Sequence, residues 1–200
     1  QLKGARLSVA GNQAAQHTAT GGSALANSIS FTDHRLAGSS GYQADVLANS
    51  ARNVQAFGGE GSILGGALAD VRVSATALAN TISVSRGELT EAPVHQVAGN
   101  TAKDVVATGG AAVANSLWLD SAHVSGGTVV VAGNDANTVR TTGASGSVGG
   151  GVVGALDRNG RALANAVAAD QQSTLARSAV AVAGNRAQSV TGSGGLAAVN

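Results

Sequence analysis

The chain has 200 residues, with 12 Lys and Arg against 11 Asp and Glu and a formal net charge of +1. It carries 29 Gly but only 1 Pro, 1 Trp, 1 Tyr and 2 Phe, with no Cys and no Met, and 12% of its residues are charged, about half the share in ordinary domains. This excludes disulfides and thiolate metal sites, leaves no basic run for nucleic acid, gives no apolar run of membrane-helix length, and supplies too few aromatics for the girdles of a transmembrane barrel.

Ala and Val make up most of the hydrophobic 44%, so the side chains are expected to fill only a thin core. In chain order, Leu7-Ser8-Val9 alternates with period two and predicts a strand. It runs into Val9-Ala10-Gly11-Asn12, a corner signal, since Gly and Asn tolerate left-handed backbone. The pair Gly21-Gly22 follows, then Ala24-Leu25-Ala26-Asn27-Ser28-Ile29, a second corner leading into a strand toward Phe31.

These two motifs alternate along the rest of the chain. The first reads Val-Ala-Gly-Asn-x-Ala-x-x-Val; it is complete from Val97 to Val105, returns at Asn134 and Asn185, and is looser at Asn49. The second, Ala-x-Ala-Asn followed by Ser, Thr or Ala, returns at Asn80, Asn115 and Asn165 and opens again at Asn200. The steps between consecutive asparagines are 15, 22, 31, 20, then 15, 19, 31, 20, then 15, so the pattern recurs 88 residues after Asn12 and 85 after Asn100. The expectation is a single repeat domain over 1–200, with units at about 9–96 and 97–181 and a partial one at 182–200.

Each 31-residue step holds 16 extra residues, and the two insertions resemble each other: Gly61-Ser62-Ile63-Leu64-Gly65-Gly66 matches Gly146-Ser147-Val148-Gly149-Gly150-Gly151. Their form, loop or strand, is open at this level. Val71-Arg72-Val73, Ile82-Ser83-Val84 and Leu117-Trp118-Leu119 alternate as strands. Residues 161–177 are Ala-rich and can pass for a helix, which is the main exception to a strand reading. Elsewhere Gly recurs too often for helix interiors. The expected fold is therefore all-β, a β-solenoid of stacked strand-turn-strand coils, with the number of motifs per coil left open.

In such a stack the same corner of successive coils recurs about every 4.8 Å. The amides of Asn12, Asn27, Asn49, Asn80, Asn100, Asn115, Asn134, Asn165, Asn185 and Asn200 are expected to form structural ladders, or else simply to occupy turns. No catalytic, cofactor-binding or metal-binding residue is expected. His17, His34, His95 and His123 have no metal-ligand spacing. His17 stands where the first motif has Val, and Asp33-His34 and Asp120 with His123 read as surface loop. Glu88 and Glu91 beside Pro93 read as a solvated loop rather than an acid/base pair. The glycine pairs lack the Lys of a phosphate loop and the Asp of a calcium roll. Thr20, Thr108 and Thr142 share one repeat phase, but Phe57 and Ser193 interrupt it, which argues against an ice-binding face.

Gln96-Val97-Ala98-Gly99-Asn100-Thr101-Ala102 resembles the turn of curli-type repeats, and Asn27-Ser28-Ile29-Ser30-Phe31 and Asn115-Ser116-Leu117-Trp118-Leu119 resemble the partner strand. The regular Gln ladder of curli is missing, since Val105, Val139 and Val190 follow the Ala. With its Ala and Val content, the chain is similar to the curli-like holdfast-anchoring proteins of stalked bacteria. Ser8-Val9-Ala10-Gly11 and residues 18–24 also resemble the β-roll heads of trimeric autotransporter adhesins, whose short coils fit the 15-residue step but not the 31-residue ones. The first resemblance implies a non-enzymatic, extracellular, bacterial cell-surface fibre subunit. Its expected partners are other copies of itself, head to tail, and cell-surface anchor proteins or polysaccharide, without nucleic acid. The alternatives are an autotransporter-type head and, more remotely, a polysaccharide-active β-helix enzyme, which would need clustered carboxylates. The stop inside a motif at Asn200, without a polar cap, is expected to leave an end that templates another copy.

Overall fold

The structure, a computed structural model, describes residues 6–20, 23–32, 35–36, 42–57, 61–72, 76–90, 94–142, 146–157, 161–170, 172–193 and 196–199. Among these the chain is all-β, without a helix, and every strand pairing is parallel. It travels in successive circuits. The first holds β1 (Arg6–Ala10), β2 (Gln13–Thr20), β3 (Ser23–Ala26), β4 (Ile29–Thr32) and β5 (Arg35–Leu36). The second holds β6 (Gln43–Leu47), β7 (Ser50–Phe57), β8 (Gly61–Arg72), β9 (Thr76–Ala79), β10 (Ile82–Ser85) and β11 (Glu88–Leu89). The third holds β12 (Val94–Ala98), β13 (Thr101–Thr108), β14 (Ala111–Ala114), β15 (Leu117–Asp120) and β16 (His123–Ser125). The fourth holds β17 (Thr128–Ala132), β18 (Asp135–Thr142), β19 (Gly146–Asp157), β20 (Arg161–Ala164), β21 (Val167–Asp170) and β22 (Thr174–Ala176). The last described strands are β23 (Ala179–Ala183), β24 (Arg186–Ser193) and β25 (Leu196–Val199).

Equivalent strands of successive circuits lie side by side. Sheet I runs β1-β6-β12-β17-β23, sheet II β2-β7-β13-β18-β24, sheet III β3-β9-β14-β20-β25, sheet IV β4-β10-β15-β21 and sheet V β5-β11-β16-β22. One circuit thus contains one copy of each asparagine motif. The architecture fits the parallel β-helix and solenoid class. The two insertions are strands: β8 pairs with β19 in a sheet of their own, although their circuits are separated by a third. Residues 161–177, which can pass for a helix in sequence, hold the strands β20, β21 and β22. Ala's helix preference amounts to a few tenths of a kcal/mol per residue, and in-register pairing with β14, β15 and β16 overrides it.

Two separate cores follow from the sequence of each segment. Residues between the first and second Asn form sheets II and III, and their inward apolar side chains are Ala and Val, such as Ala51, Val54, Ala77 and Ala79, with Thr141 taking the place of Ala56 and Ala107 in one circuit. This is the thin core that the composition predicts. The segment after the second Asn builds sheets IV, V and I around larger groups, including Phe31, Tyr42, Ile82, Leu89, Leu117 and Leu119. A third cluster, Leu78, Val113, Leu163 and Trp118, packs apart from both.

Candidate functional site

The asparagines stand at the necks between the two cores. At the first corner the left-handed residue is the one before Asn: Gly11, Gly99, Gly133 and Gly184 have φ of 63–68°, and Ala48 takes the same place at φ 51°. The Asn itself is released from the turn and hydrogen-bonds along the stack of circuits. Its Nδ2 donates to the Oδ1 of the next Asn from Asn12 to Asn49 (3.2 Å), Asn49 to Asn100 (3.2 Å), Asn100 to Asn134 (3.0 Å) and Asn134 to Asn185 (3.0 Å). The same Oδ1 accepts the backbone N–H of the preceding Asn at 2.9–3.0 Å. The second Nδ2 hydrogen goes back to Val9, Val46, Val97 or Val131 O of the previous circuit.

At the second corner one residue does both jobs. Asn27, Asn80, Asn115 and Asn165 are themselves left-handed, with φ of 49–54°. Their Nδ2 groups donate from Asn27 to Asn80 (3.1 Å), Asn80 to Asn115 (2.9 Å) and Asn115 to Asn165 (3.1 Å). Each also donates to the carbonyl that follows the first-corner Asn of the next circuit: Ser50, Thr101, Asp135 and Arg186 O. These bonds close the neck of the Ala/Val core. Buried amides need such partners, because an unsatisfied one costs about 1–3 kcal/mol. The Ser or Thr after this Asn has its own reason: Ser28, Thr81 and Ser116 donate to the carbonyl two residues back, and Ser28 and Ser116 Oγ accept N–H groups of the next circuit. Asn200 lies outside the described residues.

The remaining predicted residues scatter. His17 sits in the column of Val54, Val105 and Val139. His123 is exposed on β16, not in a loop, with Nδ1 2.8 Å from Thr174 Oγ1. Asp33, His34 and Glu91 lie outside the described residues, as do the glycine pairs except Gly109-Gly110. Thr20, Phe57, Thr108, Thr142 and Ser193 do share one register line. Among the described residues no three His, Asp or Glu side chains gather as a metal site, and no helix is long and apolar enough to cross a membrane.

Two features escaped the sequence reading. His95 is fully buried in the larger core, its Nε2 3.2 Å from Tyr42 Oη, its Nδ1 without a partner. Burial holds His95 down at about 4 and pushes the Tyr42 phenol up. The second feature is a left-handed residue inside every strand of sheet II: Gln16, Asn53, Asp104, Thr138 and Ser189, at φ of 53–60°. It resets the alternation, so that Ala51 and Val54, three apart, both face the core. The Ala-x-x-Val spacing of the first motif was its signal. On sheet I, Asp45 is fully buried and held by Arg6 (2.8 and 2.9 Å) and by Gln43 Nε2.

This arrangement is one of regular hydrogen-bonded columns, an all-β chain of parallel sheets. Compared with protein-family models, curated proteins and solved structures, the chain matches none.

Proposed function

We propose that this chain is a β-solenoid acting as the structural subunit of an extracellular adhesive fibre, assembled head to tail. The observation that carries the assembly reading is the polarity of the asparagine column. Each circuit offers N–H donors to the next and an Oδ1 acceptor to the one before. Over β23 the inward-facing Val180 and Val182 are 48% and 38% exposed, although their register partners Val129 and Val131 are fully buried. A further circuit on that side, of the same polypeptide or of another copy, would cover apolar surface and continue the parallel sheets. The anchoring role, toward cell-surface proteins or polysaccharide, is supported by the resemblance of the turn motif to curli-like holdfast proteins.

The test is electron microscopy and sedimentation of the purified 200-residue chain, held concentrated for days. Filaments are expected, and Val180→Lys with Val182→Lys should abolish them while leaving the β-sheet signal intact. Monodisperse monomers under these conditions would overturn the proposal, and a discrete trimer would favour an autotransporter-type head.

A further inference from the structure

We infer that the outer face of sheet II is a docking surface for a linear acidic polysaccharide lying along the succession of circuits. The outward positions of this sheet carry one exposed cation in each of four consecutive circuits: Arg52, Lys103, Arg140 and Arg186. None of the four forms an ion pair among the described residues. Neighbouring strands of one sheet are about 4.8 Å apart, and the charges form a band across them rather than a single file: Arg52 and Lys103 are register partners, Arg186 stands two positions to one side of their column and Arg140 three positions to the other. Two carboxylates share it, exposed Asp135 and half-buried Asp104, and leave the cations in excess.

The relief and chemistry of the face agree. The left-handed bend at Asp104, Thr138 and Ser189 divides it into two grooves. One, of about 220 Å³, is lined by Thr101, Lys103, Asp135, Asn137, Arg186 and Gln188. The other, of about 450 Å³, is lined by residues including Thr138, Arg140, Ser189 and Thr191. The groups beside the cations are hydroxyls and amides, which donate to and accept from sugar hydroxyls. Single-stranded nucleic acid, the other extended polyanion, is held by stacking on aromatic platforms, and Phe57 is the one aromatic on this face. The inference rests on the anchoring part of the proposed function, but it needs only the sheet and not end-to-end joining, so filament formation and polysaccharide binding fail or succeed separately.

The experiment immobilises alginate, a polyuronate, beside neutral dextran and poly(dT), and measures retention of the full chain at low and high salt. The chain should bind alginate, release it as salt screens the charges, and ignore dextran. Replacing Arg52, Lys103, Arg140 and Arg186 together by Gln should weaken binding about tenfold. Arg177→Gln, an exposed cation outside this sheet, should leave it unchanged. If the quadruple variant fails to fold, the single Lys103→Glu variant serves, with an expected loss of about threefold. No retention on alginate, undiminished binding by the variants, or equal binding to poly(dT) would each overturn the inference.

Discussion

Truncating Asn100 to Ala separates a ladder residue from a turn residue. Asn100 is buried, and its backbone does not need an Asn, because the left-handed φ of 66° belongs to Gly99. Its side chain makes four hydrogen bonds: Nδ2 to Val46 O (2.9 Å) and to Asn134 Oδ1 (3.0 Å), and Oδ1 from Asn49 N (2.9 Å) and Asn49 Nδ2 (3.2 Å). At about 1 kcal/mol net each, with the buried Asn49 N–H left unpaired, the loss should be about 3–5 kcal/mol. Asn12 is the internal control. It occupies the same corner but is exposed, and its Nδ2 reaches Asn49 Oδ1 at 3.2 Å. Asn12→Ala should therefore cost only about 0.5–1 kcal/mol. Urea unfolding followed by far-ultraviolet circular dichroism measures both, and hydrogen exchange at the Asn49 amide reports the orphaned donor directly. Equal costs for the two variants, with Asn49 still protected, would refute the ladder and reduce these asparagines to corner residues.

Four further outcomes are expected. Ala48→Gly should stabilise the chain by about 0.5–1 kcal/mol, because Ala48 occupies at φ 51° a place that Gly fills in the other circuits. Gly99→Ala should cost about 1 kcal/mol through backbone strain alone, since a Cβ there would meet only ordinary contacts at 3.9 Å; urea midpoints check both. His95, held at about 4 against 6.5 unfolded, stays neutral in the fold while the unfolded chain takes up a proton. Its contribution is full above pH 6.5 and falls as pH drops toward 4, by up to about 3 kcal/mol. His95→Val with Tyr42→Phe should flatten that part of the pH profile of stability, and an unchanged slope would contradict the assignment. Trp118 is buried with an unpartnered Nε1, so Trp118→Phe should change stability by only about 1 kcal/mol, whereas Trp118→Ala should cost about 3–5 kcal/mol, both by thermal melts.

The corner positions were legible in the sequence because Gly and Asn mark left-handed backbone at regular intervals. The division of labour between corners was not: the Gly before Asn100 frees the side chain, while Asn115 must turn the chain and bond along it with one residue. The bend at Asp104 was hidden because Gln16, Thr138 and Ser189 share its conformation without being types that favour left-handed backbone. There the register of five adjacent strands imposes a backbone that local preference would not choose. Likewise, nothing in the repeat foretold that His95 would enter the core opposite Tyr42, since its register partners Ala44 and Val129 are apolar.

The paired insertions carry one last consequence. The second and fourth circuits admit β8 and β19 between sheets II and III, yet the flanking strands keep their register with the uninterrupted third circuit, Ala56 against Ala107 on one side and Thr76 against Ala111 on the other. The wall at this point is thus a tolerant seam: peptide length can be added without disturbing the hydrogen-bond frame. Two circuits correspond to about 10 Å, so a cargo peptide spliced into this seam of every second circuit would be displayed as a closely spaced row along one edge of the molecule.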